Sequence, residues 1–211
     1  MEPTLAHSER EWILLGMAES CAALGFEQTN IADICAAAGV SRSSFEALFA
    51  DKSECLAAAM EALLEEARRR IEDVASPEKP WAVALRDGVV ALLGLLAERP
   101  ACGRMALVEA QVAGGRAALL RASGRDALLT AIEQGEKHAT EPGIPSSAAR
   151  AALAGVEALV LGAVLADEAE RLPELAPEIV YMLSVPYLGH DEVRRIAGGA
   201  AGQHRRLRAV A

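Results

Sequence analysis

Apolar positions in the first third of the chain recur at helical steps. Between residues 7 and 24 they fall at Trp12, Ile13, Leu15, Met17, Cys21 and Leu24. Many of these steps are three or four residues, which marks an amphipathic helix. Gly25 stands where a C-terminal cap belongs. Asn30, with Asp33 three residues on, has the form of a capping box and predicts a short helix over 31–38 that ends at Gly39. Val40 reads as a buried spacer. Ser41 reads as the next N-cap, opening a helix to about residue 48. Asp51, with Glu54 behind it, opens a fourth helix to about residue 74. Two short helices joined by a glycine-containing turn and flanked by longer ones predict a helix-turn-helix.

Beyond Ser76-Pro-Glu-Lys-Pro80 the pattern stays helical. It predicts helices over 81–98, 100–113 and 116–138, a Gly/Pro-containing loop over 140–145, and helices over 146–171, 173–187 (interrupted near Pro186) and 191–208. Phe, Trp and Tyr make up only 3% of the chain, β-branched residues never form long runs, and no internal repeat is evident. The fold class expected is all-α.

Composition narrows the function. No apolar stretch reads as long enough to span a bilayer, and the first ten residues lack the form of a signal peptide, so a cytoplasmic protein is expected. Cys21, Cys35, Cys55 and Cys102 are widely spaced with no C-x-x-C pair, which predicts reduced, partly buried thiols; a redox sensor is the alternative. No Gly-rich phosphate loop, G-x-S-x-G or H-E-x-x-H is present, and the four histidines are scattered. Neither an enzyme nor a metal or cofactor site is expected. The net charge of −9 argues against a nucleic-acid partner at first sight, and residues 1–60 hold three basic residues against nine acids, a local −6.

The first 60 residues nevertheless resemble the TetR family of repressors. The likeness is carried by the stretch from Ile13 to Phe26, by Thr29-Asn-Ile-Ala-Asp-Ile-Cys-Ala-Ala-Ala-Gly-Val-Ser41, by Phe45-Glu-Ala-Leu-Phe49 and by Asp51-Lys-Ser-Glu-Cys-Leu56. It implies a three-helix helix-turn-helix DNA-binding domain over 1–52. It also implies a helical ligand-binding and dimerisation domain over 53–211, dimeric through a four-helix bundle. The implied partners are a near-palindromic double-stranded operator, a small-molecule effector and a second copy of the chain, with no membrane.

The candidate DNA-binding residues are Thr29, Ser41, Arg42, Ser43, Ser44, Glu46 and Lys52. Arg42 suits a bidentate contact with guanine; a phosphate contact or a solvated side chain is the alternative. Ser44 stands where the family usually has a phosphate-contacting Thr. Lys52, at the positive end of its helix, suits a phosphate and matches the family's Lys. Two positions depart from the family. Glu46 replaces the usual Tyr, and Leu48 replaces His or a similar polar residue. Glu46 either accepts from cytosine or weakens binding. With the local −6 it implies few phosphate contacts and a shallow salt dependence.

Within the larger domain the candidate ligand-binding residues are Leu64, Leu85, Val89, Leu92, Met105, Glu109 and Glu157. Glu109 and Glu157 sit inside apolar runs, where an unpaired acid is costly. Each reads either as one half of an ion pair with Arg104, Arg121 or Arg150, or as a ligand anchor. A mainly apolar effector with one or two polar groups fits such a lining. Ala154, Gly155, Ala158, Gly162 and Ala163 permit close helix approach. The tail cations Arg194, Arg195, Arg205, Arg206 and Arg208 read as a solvated helix, with DNA contact as the alternative. Overall, the chain reads as a ligand-released repressor; the alternative is a helical small-molecule-binding or interaction protein whose DNA binding is weakened.

Overall fold

A computed structural model describes residues 8–140, 143–145 and 147–208, and side chains as far as Ile196. The initial residues, Ser146 and the side chains of Arg205, Arg206 and Arg208 lie outside the described set. The described residues are helical almost throughout, with no strand among them. They group into two compact units, Met1–Leu64 with Ala101–Ser123, and Glu65–Pro100 with Gly124–Ala211.

The first unit opens with α1 (Glu9–Leu24), α2 (Ile31–Ala38), α3 (Arg42–Leu48) and the start of α4 (Lys52–Val74). Local chemistry sets each boundary. Ser8 and Glu11 form a capping box before α1, and Asn30 and Asp33 form another before α2. Ser41 accepts from the backbone N–H of Ser44, and Asp51 accepts from that of Glu54. Gly39 closes α2 in the left-handed conformation at φ 68°. Ile13, Met17, Cys21, Ile34, Phe45, Cys55 and Leu56 form a core at 0% exposure. Phe49 packs beside Phe45 with ring centroids 5.6 Å apart. At Gly16, α1 meets α2 so closely that a Cβ would lie 2.8 Å from Ile34 O and Ala38 N.

The same unit includes α6 (Pro100–Arg104), a π-helical turn (Met105–Glu109), α7 (Ala110–Ala113) and the first half of α8 (Gly115–Glu133). The single helix expected over 100–113 therefore carries a π turn at its centre. All four cysteines are buried and unbridged. Burial pushes the Cys21 thiol up to about 11 and the Cys55 thiol up to about 12, far from the thiolate that redox chemistry uses.

The second unit is built on α5 (Trp81–Glu98) packed against α10 (Ala176–Arg208), with α9 (Ala148–Leu165) beside α10. Trp81 meets Tyr187 edge-on, stacks with His138 and donates to Ala131 O. Gly135 fits beneath this cluster, since a Cβ there would lie 2.6 Å from the Trp81 ring. Asp87 is buried on α5 and accepts from Lys79 and Arg86 at 2.7 and 2.8 Å. Burial alone would raise its carboxyl, but those two cations hold it below the usual carboxylate range.

Three expectations change here. The helix expected over 146–171 ends at Leu165, because Asp167 turns left-handed at φ 57° and a 3-10 stretch, Ala169–Leu175, follows around Pro173. The break expected near Pro186 lies at Gly189, φ 71°, because the helix tolerates the proline and the glycine takes the turn. The expectation of no membrane-length stretch is also corrected. Ala148–Leu165 is long and apolar enough by length and composition, with mean hydropathy 1.8, because two isolated charges barely dilute eighteen residues. Only 22% of it is buried within the chain.

Candidate nucleic-acid interface

Helix α3 is a seven-residue helix anchored by one buried aromatic. Phe45 is at 0% exposure, so Arg42, Ser43, Glu46, Ala47 and Leu48 face solvent. The Ser41 hydroxyl lies 2.8 Å from that of Ser43 and 3.0 Å from that of Ser44, forming a hydroxyl cluster at the start of the helix. One turn on, Arg42 Nε donates to Glu46 Oε1 at 2.7 Å. That hydrogen bond raises the guanidinium further above its ordinary value. The outward face therefore offers hydroxyls, one paired cation and an exposed leucine.

The other two candidates turn inward. Thr29 is buried, and its hydroxyl donates to Gly25 O at 2.8 Å. The Lys52 ammonium donates to Phe26 O at 2.8 Å, Glu27 O at 3.1 Å and Thr29 O at 2.8 Å. It also lies 4.6 Å from the centre of the Phe26 ring. All three donors of that ammonium are engaged with the α1–α2 loop.

A carboxylate holds the same loop from another element. Glu109, 5% exposed at the end of the π turn, accepts from the Phe26 backbone N–H at 2.7 Å. The peptide unit around Phe26 is thus held by a cation at its carbonyl and an anion at its N–H. Sequence reasoning offered Glu109 an arginine or a ligand and missed this backbone donor, 83 residues away in the chain. The only signal in the sequence was a lone acid in an apolar run.

Residues 13–59 match the model of the family described as bacterial regulatory proteins, tetR family. That match covers the helix-turn-helix and ends within α4. No curated protein matches the chain significantly. Solved structures share its fold at low identity. The fatty acid degradation regulator FadR from Bacillus halodurans is 15% identical with a TM-score of 0.72, over 84% of this chain and 95% of that one. FadR from Bacillus subtilis, in complex with stearoyl-CoA, is 18% identical with a TM-score of 0.70, over 83% and 97%. A TetR family transcription regulator from Marinobacter aquaeolei VT8 is 20% identical with a TM-score of 0.67, over 85% and 95%.

The seven ligand candidates divide between the units. Leu64, Met105 and Glu109 belong to the first, and Leu85, Val89, Leu92 and Glu157 to the second. Met105 and Val89 are buried, while Leu64, Leu85 and Leu92 are half-buried. Glu157 pairs with Arg125 at 3.1 Å, not with Arg104, Arg121 or Arg150, because α8 presents Arg125 to it. The Arg104 and Arg121 Nε atoms are buried without a hydrogen-bond partner. A cleft of about 310 Å³ in the first unit is lined by Asp51, Glu54, Ala113 and Arg116 among others, and by none of the seven.

Proposed function

We propose that this chain is a TetR-family regulator, a non-enzymatic cytoplasmic repressor. It holds a near-palindromic operator as a homodimer and releases it when a mainly apolar small molecule binds. Residues 1–52 grip DNA, and 53–211 receive the ligand and dimerise. The observation that carries this reading is the outward face of α3, with Ser41, Arg42, Ser43 and Ser44 on a helix that Phe45 fixes to the core. Helices of this kind read base edges in the major groove.

Two further observations support the rest. The side of α9 around Ala151, Ala154, Ala158, Gly162 and Leu165 is exposed and apolar, as a bundle partner requires, and all but Leu165 are small. A two-fold dimer places its recognition helices about 34–36 Å apart. For release, the Glu109–Phe26 bond offers a route: a ligand that shifts the π turn also shifts the loop that sets α2 against α1. Leu64, Leu85, Val89, Leu92, Met105, Glu109 and Glu157 remain the ligand candidates. The stearoyl-CoA bound to the Bacillus subtilis FadR supports a long apolar effector with a polar end.

A second reading is a helical ligand binder whose DNA grip is weakened. The inward commitment of Lys52 and the acidity of residues 1–60 favour it. Selection of bound duplexes from a random pool separates the two. A palindrome emerges if the first reading holds, and no sequence emerges if the second does. Sedimentation at low micromolar concentration is expected to give a dimer, and a stable monomer would refute that part.

A further inference from the structure

Arg42 and Glu46 stand one turn apart on the exposed face of α3, with side chains 69% and 52% exposed. A surface pair of this kind adds little to stability, so its consequence lies in geometry. A guanidinium has five N–H donors in a rigid fork. Glu46 engages only the Nε donor. The two terminal nitrogens have no hydrogen-bond partner among the described residues, and they are the end-on pair that meets guanine O6 and N7 together. The second carboxylate oxygen of Glu46 likewise accepts no described donor, and cytosine presents its N4 amino group as a donor in the same groove.

We propose that Glu46 is a positioning residue that aims Arg42 end-on at a guanine while its own Oε2 accepts from a neighbouring cytosine. This rests on the DNA-binding reading above. On groove-bound helices, residues about three apart address successive bases, so residues four apart address base pairs one or two steps apart. The same carboxylate repels phosphates wherever no amino group meets it. Such a repulsive element discriminates against the wrong sequence as effectively as attraction selects the right one. Glu46 therefore lowers affinity for DNA in general and raises selectivity for sites holding this guanine and cytosine.

The full-length protein and its E46A, E46Q and R42K variants are each taken through selection from a random duplex pool. Binding to selected and scrambled duplexes is then measured across a salt series. The wild type is expected to select a guanine and a cytosine one or two positions apart in each half-site. E46A is expected to lose discrimination at the cytosine by roughly 5- to 150-fold, the range of one good base contact, and to bind scrambled DNA more tightly. E46Q keeps an acceptor without the charge and is expected to retain part of the preference. R42K loses the guanine, because an ammonium lacks the fork. If E46A and E46Q bind every duplex more tightly by one common factor, with base preferences unchanged, Glu46 is only a repulsive charge. The proposal then fails while the DNA-binding reading stands. If the wild type selects nothing, both fail.

Discussion

The two units satisfy buried and half-buried charge in opposite ways. In the second unit Asp87 meets charge with charge, since Lys79 and Arg86 neutralise it side chain to side chain. In the first, Lys52 and Glu109 meet the backbone, at the carbonyl and the N–H of Phe26. The former arrangement secures a helix that packing already holds. The latter fixes the path of a loop with no secondary structure of its own. Loss of charge in the second unit should therefore show as lost stability. In the first unit it should show as lost definition of the DNA-binding head.

Each unit holds one tryptophan, Trp12 in the first and Trp81 in the second, so W81F and W12F backgrounds report the units separately. The largest effect is expected for Asp87→Ala. Removing one partner of a buried pair strands the others, at a cost of about 3 kcal/mol in urea unfolding followed by Trp81. The pH dependence has a definite sign. The Asp87 carboxyl is held below its ordinary value, so its stabilisation is present above about pH 4 and is lost as pH falls through the depressed value. Equal acid sensitivity in D87A and wild type would contradict this. Lys52→Met should cost about 2 kcal/mol as three carbonyls lose a charged donor, and should lower operator affinity with the Trp81 signal unmoved.

Glu109→Ala should cost about 1 kcal/mol by stranding the Phe26 N–H. Its sharper consequence is expected in a ligand titration, where DNA release should weaken relative to ligand affinity. Unchanged release would break the proposed route. The smallest effect is on salt dependence. With Lys52 turned inward and Arg42 paired, operator affinity should fall only modestly between low and moderate salt. A steep logarithmic slope would show many phosphate contacts.

The helix-turn-helix was legible in the sequence because its boundaries are written locally. Asn30 with Asp33, Ser41, and Asp51 with Glu54 each cap a helix within four residues, and the structure shows all three devices. The Ser8–Glu11 capping box is equally local, and it starts α1 at Glu9. The partners of charged groups were not legible. Arg125 reaches Glu157 across 32 residues, and Phe26 reaches Glu109 across 83. Periodicity describes one helix at a time and cannot say which side chain another helix will present. The inward turn of Lys52 was hidden for the same reason, since its three acceptors are backbone atoms.

The π turn over Met105–Glu109 has a consequence in register. Relative to an α-helix, such a bulge carries one residue too many, and each residue added rotates everything beyond it by about 100°. A single-residue deletion within 105–108 would restore an unbroken α ladder. The same deletion would change the angular phase between the two ends of the helix, so Glu109 could no longer face Phe26 while Arg104 kept its present direction. The helix is thus spliced from two phases, and one codon in its middle sets which way the carboxylate looks.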